Sequence, residues 1–235
     1  MSKAKSKATR QQLAATLSHV ARYRMATHGS ARQLPALRHV RRKRANALLR
    51  GLCDNGQLAE ASLYGRRVYF HLEPNGAEEL SQLGLIGSDS LDTGPLSEQA
   101  KIRNYAALTF CCLSGHARQR LGVADFQRCF GQLHRPGLSM NYYADTSGPQ
   151  PRLGLLRVDT GGRGRWDRVL AKCRNDLEVH HADAGFHEFI DRQAFEITLI
   201  TSLPQKAQRL ADAISDCHDA RGTLINIVVM PELLN

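Results

Sequence analysis

The side chains best suited to a chemical role are the arginines and lysines of the first quarter of the chain. Residues 1–53 contain nine Arg and four Lys and no acidic residue, whereas residues 54–235 contain 19 basic and 22 acidic residues. The net charge of +10 therefore originates in the N-terminal segment. Basic side chains neutralise phosphates and release their counterions, so this segregation predicts binding to a nucleic-acid backbone. A solvated basic tail is the alternative that charge alone leaves open.

A second group with chemical potential is the histidine-rich stretch HHADAGFHE, residues 180–188. Imidazole and carboxylate groups at this density suit a transition metal such as zinc or nickel. Adjacent histidines, however, point to different sides of any regular element, and this favours a polar, solvent-facing loop.

The glycine-rich turn TGGRGRW, residues 160–166, leads into a predicted helix and could cradle a phosphate. It lacks the GxxxxGK[ST] and GxGxxG patterns of nucleotide-binding loops. The other interpretation is a basic loop that contacts the DNA backbone through Arg163 and Arg165.

Three helices are predicted to position the N-terminal basic residues. Leu13, Leu17, Val20 and Tyr23 recur at helical spacing and predict a first helix over residues 6–25. The stretch ARQLPAL predicts a short second helix with Ser30 as its N-cap, interrupted by Pro35. A third helix follows from about residue 38 and ends at Asn55-Gly56. Its predicted inward face consists of Val40, Arg44, Ala47, Leu48 and Leu52.

A predicted β-hairpin comes after these helices. Residues 57–62 and 67–72 resemble two strands joined across residues 63–66, and the stretch AEELSQLGL then predicts a further helix. Three helices followed by a hairpin with a basic tip is the order of a winged helix-turn-helix, in which the third helix enters the major groove and the tip lies against the phosphates. The predicted DNA-binding residues are Arg32, Arg38, Arg41, Arg42, Lys43, Asn46, Arg66 and Arg67. Of these, Arg38, Arg41, Arg42 and Asn46 are the candidates for base contacts.

The segment from Arg44 to Leu80 resembles a known winged-helix module, and the match extends over about residues 10–83. In that module a helix reading R-x-L-x-x-L-x-x-x-G-x-L precedes the wing, and a Y-x-L-T-x-x-G-x-x-x-L tail closes it. The matching residues are Leu49, Leu52, Gly56, Leu58, Tyr69, Leu72, Gly76 and Leu80.

The remaining chain predicts a linker and a second domain. Residues 84–97 are rich in Gly, Ser and Asp and contain Pro95. They would separate a winged-helix domain of residues 1–83 from an α/β domain of residues 98–235. A helix is predicted from Ser97-Glu98 to Leu113, which packs in the core or pairs two subunits.

Strands and helices alternate in the predicted second domain. Strands are expected at 153–158, 195–201 and 224–230, and the last two are expected to be parallel; helices are expected at 124–130, 165–177 and 205–217. The predicted fold class is thus α+β overall, with an α/β C-terminal domain.

This second half is similar to the plasmid replication-relaxation family. The resemblance rests on Asp145 in NYYAD, the turn at 157–161, Lys172 in RVLAKCRND, and residues 198–202 followed by Arg209-Leu210. That family joins a winged helix to a domain related to restriction-endonuclease-like nucleases, and some members are mobilisation relaxases. The resemblance therefore implies Asp145 and Asp159 as metal ligands and Lys172 as their catalytic partner.

One departure from the family pattern argues against cutting DNA. Where the family has the glutamate of E-x-D-x-G-T, this chain has Arg157. A guanidinium repels a divalent cation and supplies no oxygen ligand. The expected second domain is therefore a degenerate nuclease-like fold kept for dimerisation or DNA contact, with Asp145, Asp159 and Lys172 as a remnant site.

Together these features predict a cytoplasmic, sequence-specific DNA-binding regulator of transcription, a repressor for example, which associates with the nucleoid when it binds DNA. It would be encoded on a plasmid or other mobile genetic element, bind an operator in double-stranded DNA as a homodimer, and need no cofactor or membrane. The alternatives are a replication or mobilisation accessory protein and a metal-dependent relaxase or nuclease. The six cysteines contain no CxxC pair and are expected to be reduced thiols.

Overall fold

The computed structural model describes residues 2–37, 39–85, 91–135, 138, 141–160, 166–215 and 222–234. The chain is a mixed α and β protein that divides into two compact units, residues 1–113 and 114–235. The contact-defined boundary thus follows Leu113 and does not lie in the linker expected at 84–97. The 98–113 segment belongs to the first unit because its helix packs against the first helix of the chain.

The first unit consists mainly of helices with one two-stranded sheet. Its elements are α1 (Ser2–Tyr23), α2 (His28–Gln33), α3 (Arg42–Asp54), β1 (Leu58–Ser62), β2 (Val68–Leu72), α4 (Pro74–Gln82) and α5 (Glu98–Leu108), which continues as a π-helical turn (Thr109–Leu113). The three helices and the hairpin expected from the sequence are therefore present, within a few residues of the predicted bounds.

Helix α1 forms where the apolar periodicity predicted it. Leu17, Val20 and Tyr23 are buried, and Leu13 packs against the same core. The second helix differs from its prediction, because its N-cap is Thr27 and not Ser30. Ser30 is instead the third residue of a reciprocal capping box, in which the Thr27 hydroxyl accepts from the Ser30 amide at 3.1 Å.

The buried face of α3 also differs from the prediction. The core-facing residues are Ala45, Leu49 and Leu52, whereas Arg44 is exposed. The predicted stripe was rotated by about one residue, or roughly 100°, around the helix. The rotation leaves Leu48 only half-buried and turns the cationic side chains of the first turn towards solvent.

The hairpin is antiparallel, with Leu58 opposite Leu72 and Ser62 opposite Val68. A single residue before α2 extends this sheet, since Ala26 and Phe70 exchange main-chain hydrogen bonds of 2.9 and 2.8 Å. The first unit thus begins with the order helix, one-residue strand, helix, helix, strand and strand, and α4 and α5 follow.

The second unit contains a mixed five-stranded sheet with order β3-β4-β5-β6-β7. The strands are β3 (Arg118–Arg120), β4 (Tyr142–Asp145), β5 (Arg152–Val158), β6 (Phe195–Thr201) and β7 (Leu224–Val229). The first three form an antiparallel meander, and β6 and β7 continue it in parallel. The parallel pairing of the last two strands was correctly predicted.

Four helices accompany the sheet of the second unit: α6 (Val123–Phe130), α7 (Trp166–His181), α8 (Ala184–Asp191) and α9 (Pro204–Ser215). All four contribute to one apolar cluster with alternate residues of the strands, among them Leu155 and Ile197. Helix α8 was not expected, because residues 180–188 were interpreted as a loop; Asp183 caps it by accepting from the Gly185 amide at 2.8 Å.

Candidate nucleic-acid interface

The basic residues predicted to bind DNA are located on α2, α3 and the hairpin tip. Those that are exposed are Arg32, Arg41, Arg42, Lys43, Arg66 and Arg67. Arg38 lies outside the described residues, as do Arg163 and Arg165. Because residues 1–53 include no carboxylate, no acidic neighbour close in sequence offsets the cations of α2 and of the first turn of α3.

The start of α3 is unusual for a helix. No side chain accepts a hydrogen bond from its first amides, its N-cap is Arg41, and its first turn contains no acidic residue. Positive side chains at a helix N-terminus oppose the macrodipole, at a cost of about 0.3–1 kcal/mol each. The start of α3 therefore presents positive potential from both its first amides and its side chains.

Asn46 lies one turn after Arg42 on α3, so the two side chains share a face. Asn46 is half-buried, and its Oδ1 is enclosed without a hydrogen-bond donor among the described residues. An enclosed amide oxygen without a donor is costly.

The hairpin tip is held by residues that follow it in the chain. The Tyr69 hydroxyl accepts from the Leu96 amide at 2.8 Å, and the Arg67 guanidinium donates to the Tyr105 hydroxyl at 3.4 Å. Gly65 makes the turn with a φ of 56°, in the left-handed region. Next to it, burial raises the pKa of Tyr64 to about 12. The structure thus fixes the turn that carries Arg66.

The remnant nuclease site implied by the resemblance does not form. Asp145 pairs with Arg152 at one end of β5, and Asp159 follows the other end. Seven residues of extended strand, about 20 Å, separate the two carboxylates, whereas metal ligands lie within a few ångströms of one ion. The strand register, which the sequence does not reveal, causes this separation.

Each of the three remnant candidates has a different environment. Asp145 binds Arg118 at 2.7 Å, and although burial raises its pKa, hydrogen bonds from Ser147 and Arg118 hold it below the usual value. Asp159 is buried and accepts from Lys206 at 2.6 Å. Lys172 is exposed at the rim of a cleft on α7. Among the described residues no cluster of His, Cys, Asp or Glu could hold a metal ion.

Arg157, at the position where the resembled pattern has a glutamate, is engaged in a partly buried ion pair. Its Nε and one terminal nitrogen donate to the two carboxylate oxygens of Asp176, both at 2.6 Å. The bidentate geometry fixes the guanidinium in the place where the family pattern has a carboxylate. Arg157 therefore stabilises the fold at this position and cannot serve as a cation ligand.

The histidine-rich stretch is neither a metal site nor a solvent-facing loop, because its histidines have separate partners. His180 is buried against the rings of Phe186 and Phe195. Its Nδ1 donates to the Asp176 carbonyl at 2.5 Å, which leaves Nε2 to accept from the Tyr142 hydroxyl at 2.7 Å. Burial lowers the pKa of His180, which is consistent with this neutral tautomer.

A polar group on the sheet was missed by sequence reasoning. Glu196 is buried in β6, where its carboxylate accepts from the Tyr143 hydroxyl and, at 3.0 Å, from Asn226. The same hydroxyl lies 2.7 Å from the Thr198 hydroxyl. A signal was available, because a charged residue inside the apolar strand FEITLIT requires a buried partner.

No model of a protein family matches the chain, and none of the curated proteins or solved structures compared with it matches. Among the described residues, no helix has the length and apolar content required to cross a membrane.

Proposed function

We propose that this protein binds double-stranded DNA through a winged helix-turn-helix formed by α2, α3 and the β1–β2 hairpin. The observation that carries the proposal is the set of exposed cations on these elements, in a segment of 53 residues without a carboxylate. A solvated tail would also be basic. It would not bury Leu17 and Leu49 completely in a shared core, as this segment does.

The order of the elements supports the same proposal. Helix α2 packs against α3, and the hairpin follows α3 directly. In a helix-turn-helix, the N-terminal residues of the second helix contact base edges and the flanking elements contact phosphates. Arg42 and Asn46 would accordingly read bases, and Arg66 and Arg67 would bind the neighbouring backbone.

We further propose that the protein is a transcription regulator of a mobile genetic element that binds an inverted-repeat operator as a homodimer. This finer proposal rests on the resemblance of the sequence to the replication-relaxation family. The position of the bound sequence tests it, since a footprint in a promoter indicates a regulator, whereas a footprint at a transfer or replication origin indicates an accessory protein.

The DNA-binding proposal is tested with a charge-matched pair of double variants. Arg41→Ala/Arg42→Ala removes two exposed cations from the start of α3, and the affinity for the footprinted DNA is expected to fall more than tenfold. Arg128→Ala/Arg192→Ala removes the same charge from α6 and the end of α8, where each arginine is exposed and pairs with Asp125 or Glu188. This second variant should bind within about twofold of wild type.

Fluorescence anisotropy at fixed ionic strength measures both variants. Equal loss of affinity in the two would show that only total charge matters and would contradict recognition through α3. Unchanged binding by the first variant would show that the start of α3 does not recognise the DNA.

A further inference from the structure

The five-stranded sheet of the second unit has two edges of opposite character. The edge strand β3 has only three residues and has arginine at both ends, Arg118 and Arg120. The other edge strand, β7, has six residues, LINIVV, without charge or proline. Short length and charged side chains are the usual protection of a sheet edge against pairing. Only one edge of this sheet has that protection.

The outward-facing main chain of β7 can be assigned from its pairing with β6. The Met230 amide donates to the Thr201 carbonyl at 2.8 Å. Because main-chain groups alternate along a strand, Leu224, Asn226 and Val228 also face β6, and Ile225, Ile227 and Val229 present their amides and carbonyls at the edge. Within the part of the chain that the structure describes, β7 pairs with β6 alone.

We propose that β7 pairs antiparallel with β7 of a second copy of this chain, which joins the two sheets into one continuous sheet across a two-fold axis. An antiparallel strand pair is isologous, so one sequence supplies both sides of the interface. The inference deepens the proposed function and rests on it in one respect: an inverted repeat calls for two copies.

Charge explains why the partner is a second copy. The chain has a net charge of +10, so most contacts between copies bring like charges together. From Gly222 to Met230 there is no charged residue, and two β7 strands can therefore lie side by side without repulsion. The apolar, largely β-branched side chains of this segment also favour cross-strand packing.

The size of the contact sets the expected affinity. A six-residue edge forms about six interstrand hydrogen bonds and buries less than the roughly 800 Å² per partner of a standard interface. A dissociation constant in the micromolar range is therefore expected for the free protein. Two half-sites on one DNA would raise the effective concentration and favour the dimer further.

The test is sedimentation velocity of the full chain without DNA, from about 1 to about 100 μM. Wild type should shift from monomer to dimer over this range. Val229→Pro removes an outward amide and leaves the hydrogen bonds to β6 intact. Val228→Lys introduces a cation at a half-buried position of β7 outside the apolar cluster, near its copy across the axis. Each variant should weaken the dimer at least tenfold.

The matched control is Gln119→Lys, which adds the same charge to the exposed middle residue of the other edge, β3, and should leave the dimer unchanged. Circular dichroism and thermal unfolding establish that each variant is folded. A wild-type protein that stays monomeric at the highest concentration overturns the proposal. The proposal is also overturned if both β7 variants are folded and dimerise with the same dissociation constant as wild type.

Binding to DNA with a single half-site, measured on the same proteins, separates this inference from the proposed function. Loss of the dimer with unchanged half-site affinity supports β7 pairing. A monomeric wild type that still binds the half-site overturns β7 pairing alone, and a dimer that binds no DNA overturns the DNA-binding function alone.

Discussion

His19 is held neutral inside the first unit. It is only 6% exposed, and its Nε2 lies 3.1 Å from the Ser30 hydroxyl. Burial, and secondly the charge of Arg22, lower its pKa from 6.5 to about 4. Because the folded-state pKa is depressed, protonation favours the unfolded chain, and stability present above pH 6.5 is lost as the pH falls towards 4. Lowering the pH from 7 to 5 should cost about 2 kcal/mol.

Hydrogen exchange of the buried α1 amides, corrected for intrinsic rates, measures this loss locally. His19→Leu should flatten the pH dependence, although it lowers stability at neutral pH by removing the contact with Ser30. His116→Leu, at an exposed position, is the control and should keep the wild-type profile. A profile equally steep in His19→Leu would assign the acid sensitivity to another group.

The Arg157–Asp176 pair predicts strong coupling between two substitutions. Arg157→Met removes the main partner of the buried Asp176 carboxylate. The free energy of unfolding should therefore fall by about 3–5 kcal/mol. The double variant Arg157→Met/Asp176→Leu should regain most of it, because no buried charge remains. Urea unfolding followed by the fluorescence of Trp166, the single tryptophan, measures the cycle. Additive losses would contradict the coupling.

At the scale of elements, the pairing of β4 with β5 places the ring of Tyr143 over Gly154, which has no side chain to obstruct it. A Cβ atom at this position would lie 2.0 Å from the ring of Tyr143. Gly154→Ala should therefore displace that ring from Glu196 and destabilise the protein by about 2–4 kcal/mol, through overpacking and an unpaired buried carboxylate.

Gly51 in α3 is the matched comparison, because a Cβ there would meet no atom within 4 Å. Gly51→Ala should stabilise the chain by up to about 1 kcal/mol, through the higher helix propensity of alanine. Thermal unfolding of both variants checks the pair. If both variants changed the stability by similar amounts and with the same sign, the contact with Tyr143 would not be the cause of the effect of Gly154→Ala.

The elements predicted from the sequence were those with apolar residues at helical spacing or in a continuous run. Leu17 and Val20 identified α1, and the apolar runs of β6 and β7 identified parallel strands. The three-residue β3 was missed because it contains no apolar residue, and α8 because its polar residues obscured the apolar face formed by Phe186 and Ile190.

The candidate sites were less predictable than the elements, for two physical reasons. A shift of one residue in the assignment of the buried face of α3 turns every side chain by about 100° around the helix axis. The apolar periodicity of the sequence did not distinguish between the two faces. The distance between Asp145 and Asp159 depends on strand register, which arises from pairing across the sheet. The exposed cations were predictable nonetheless, since charge segregation is visible in the sequence itself.

At the scale of the whole molecule, salt should weaken DNA binding much more than it weakens dimerisation. If the six exposed cations at the proposed interface each contact a phosphate, the logarithm of the DNA affinity should fall with the logarithm of salt concentration with a slope of about −5. Arg41→Ala/Arg42→Ala should reduce the magnitude of that slope by about 2. Dimerisation through the uncharged β7 should change little over the same salt range.

Anisotropy and sedimentation titrations at several salt concentrations measure these two dependences. A dimer that dissociates as steeply with salt as the DNA complex would place charged groups in the interface between copies, and would contradict pairing through β7.

The uncapped start of α3 links DNA binding to the stability of the helix that would make the contact. Its first amides lack a side-chain acceptor, and a phosphate oxygen is the group that would supply one. A phosphate bound there would add hydrogen bonds that the free helix lacks, so DNA binding would stabilise the first turn of α3. The surface that reads DNA would be completed by the DNA itself.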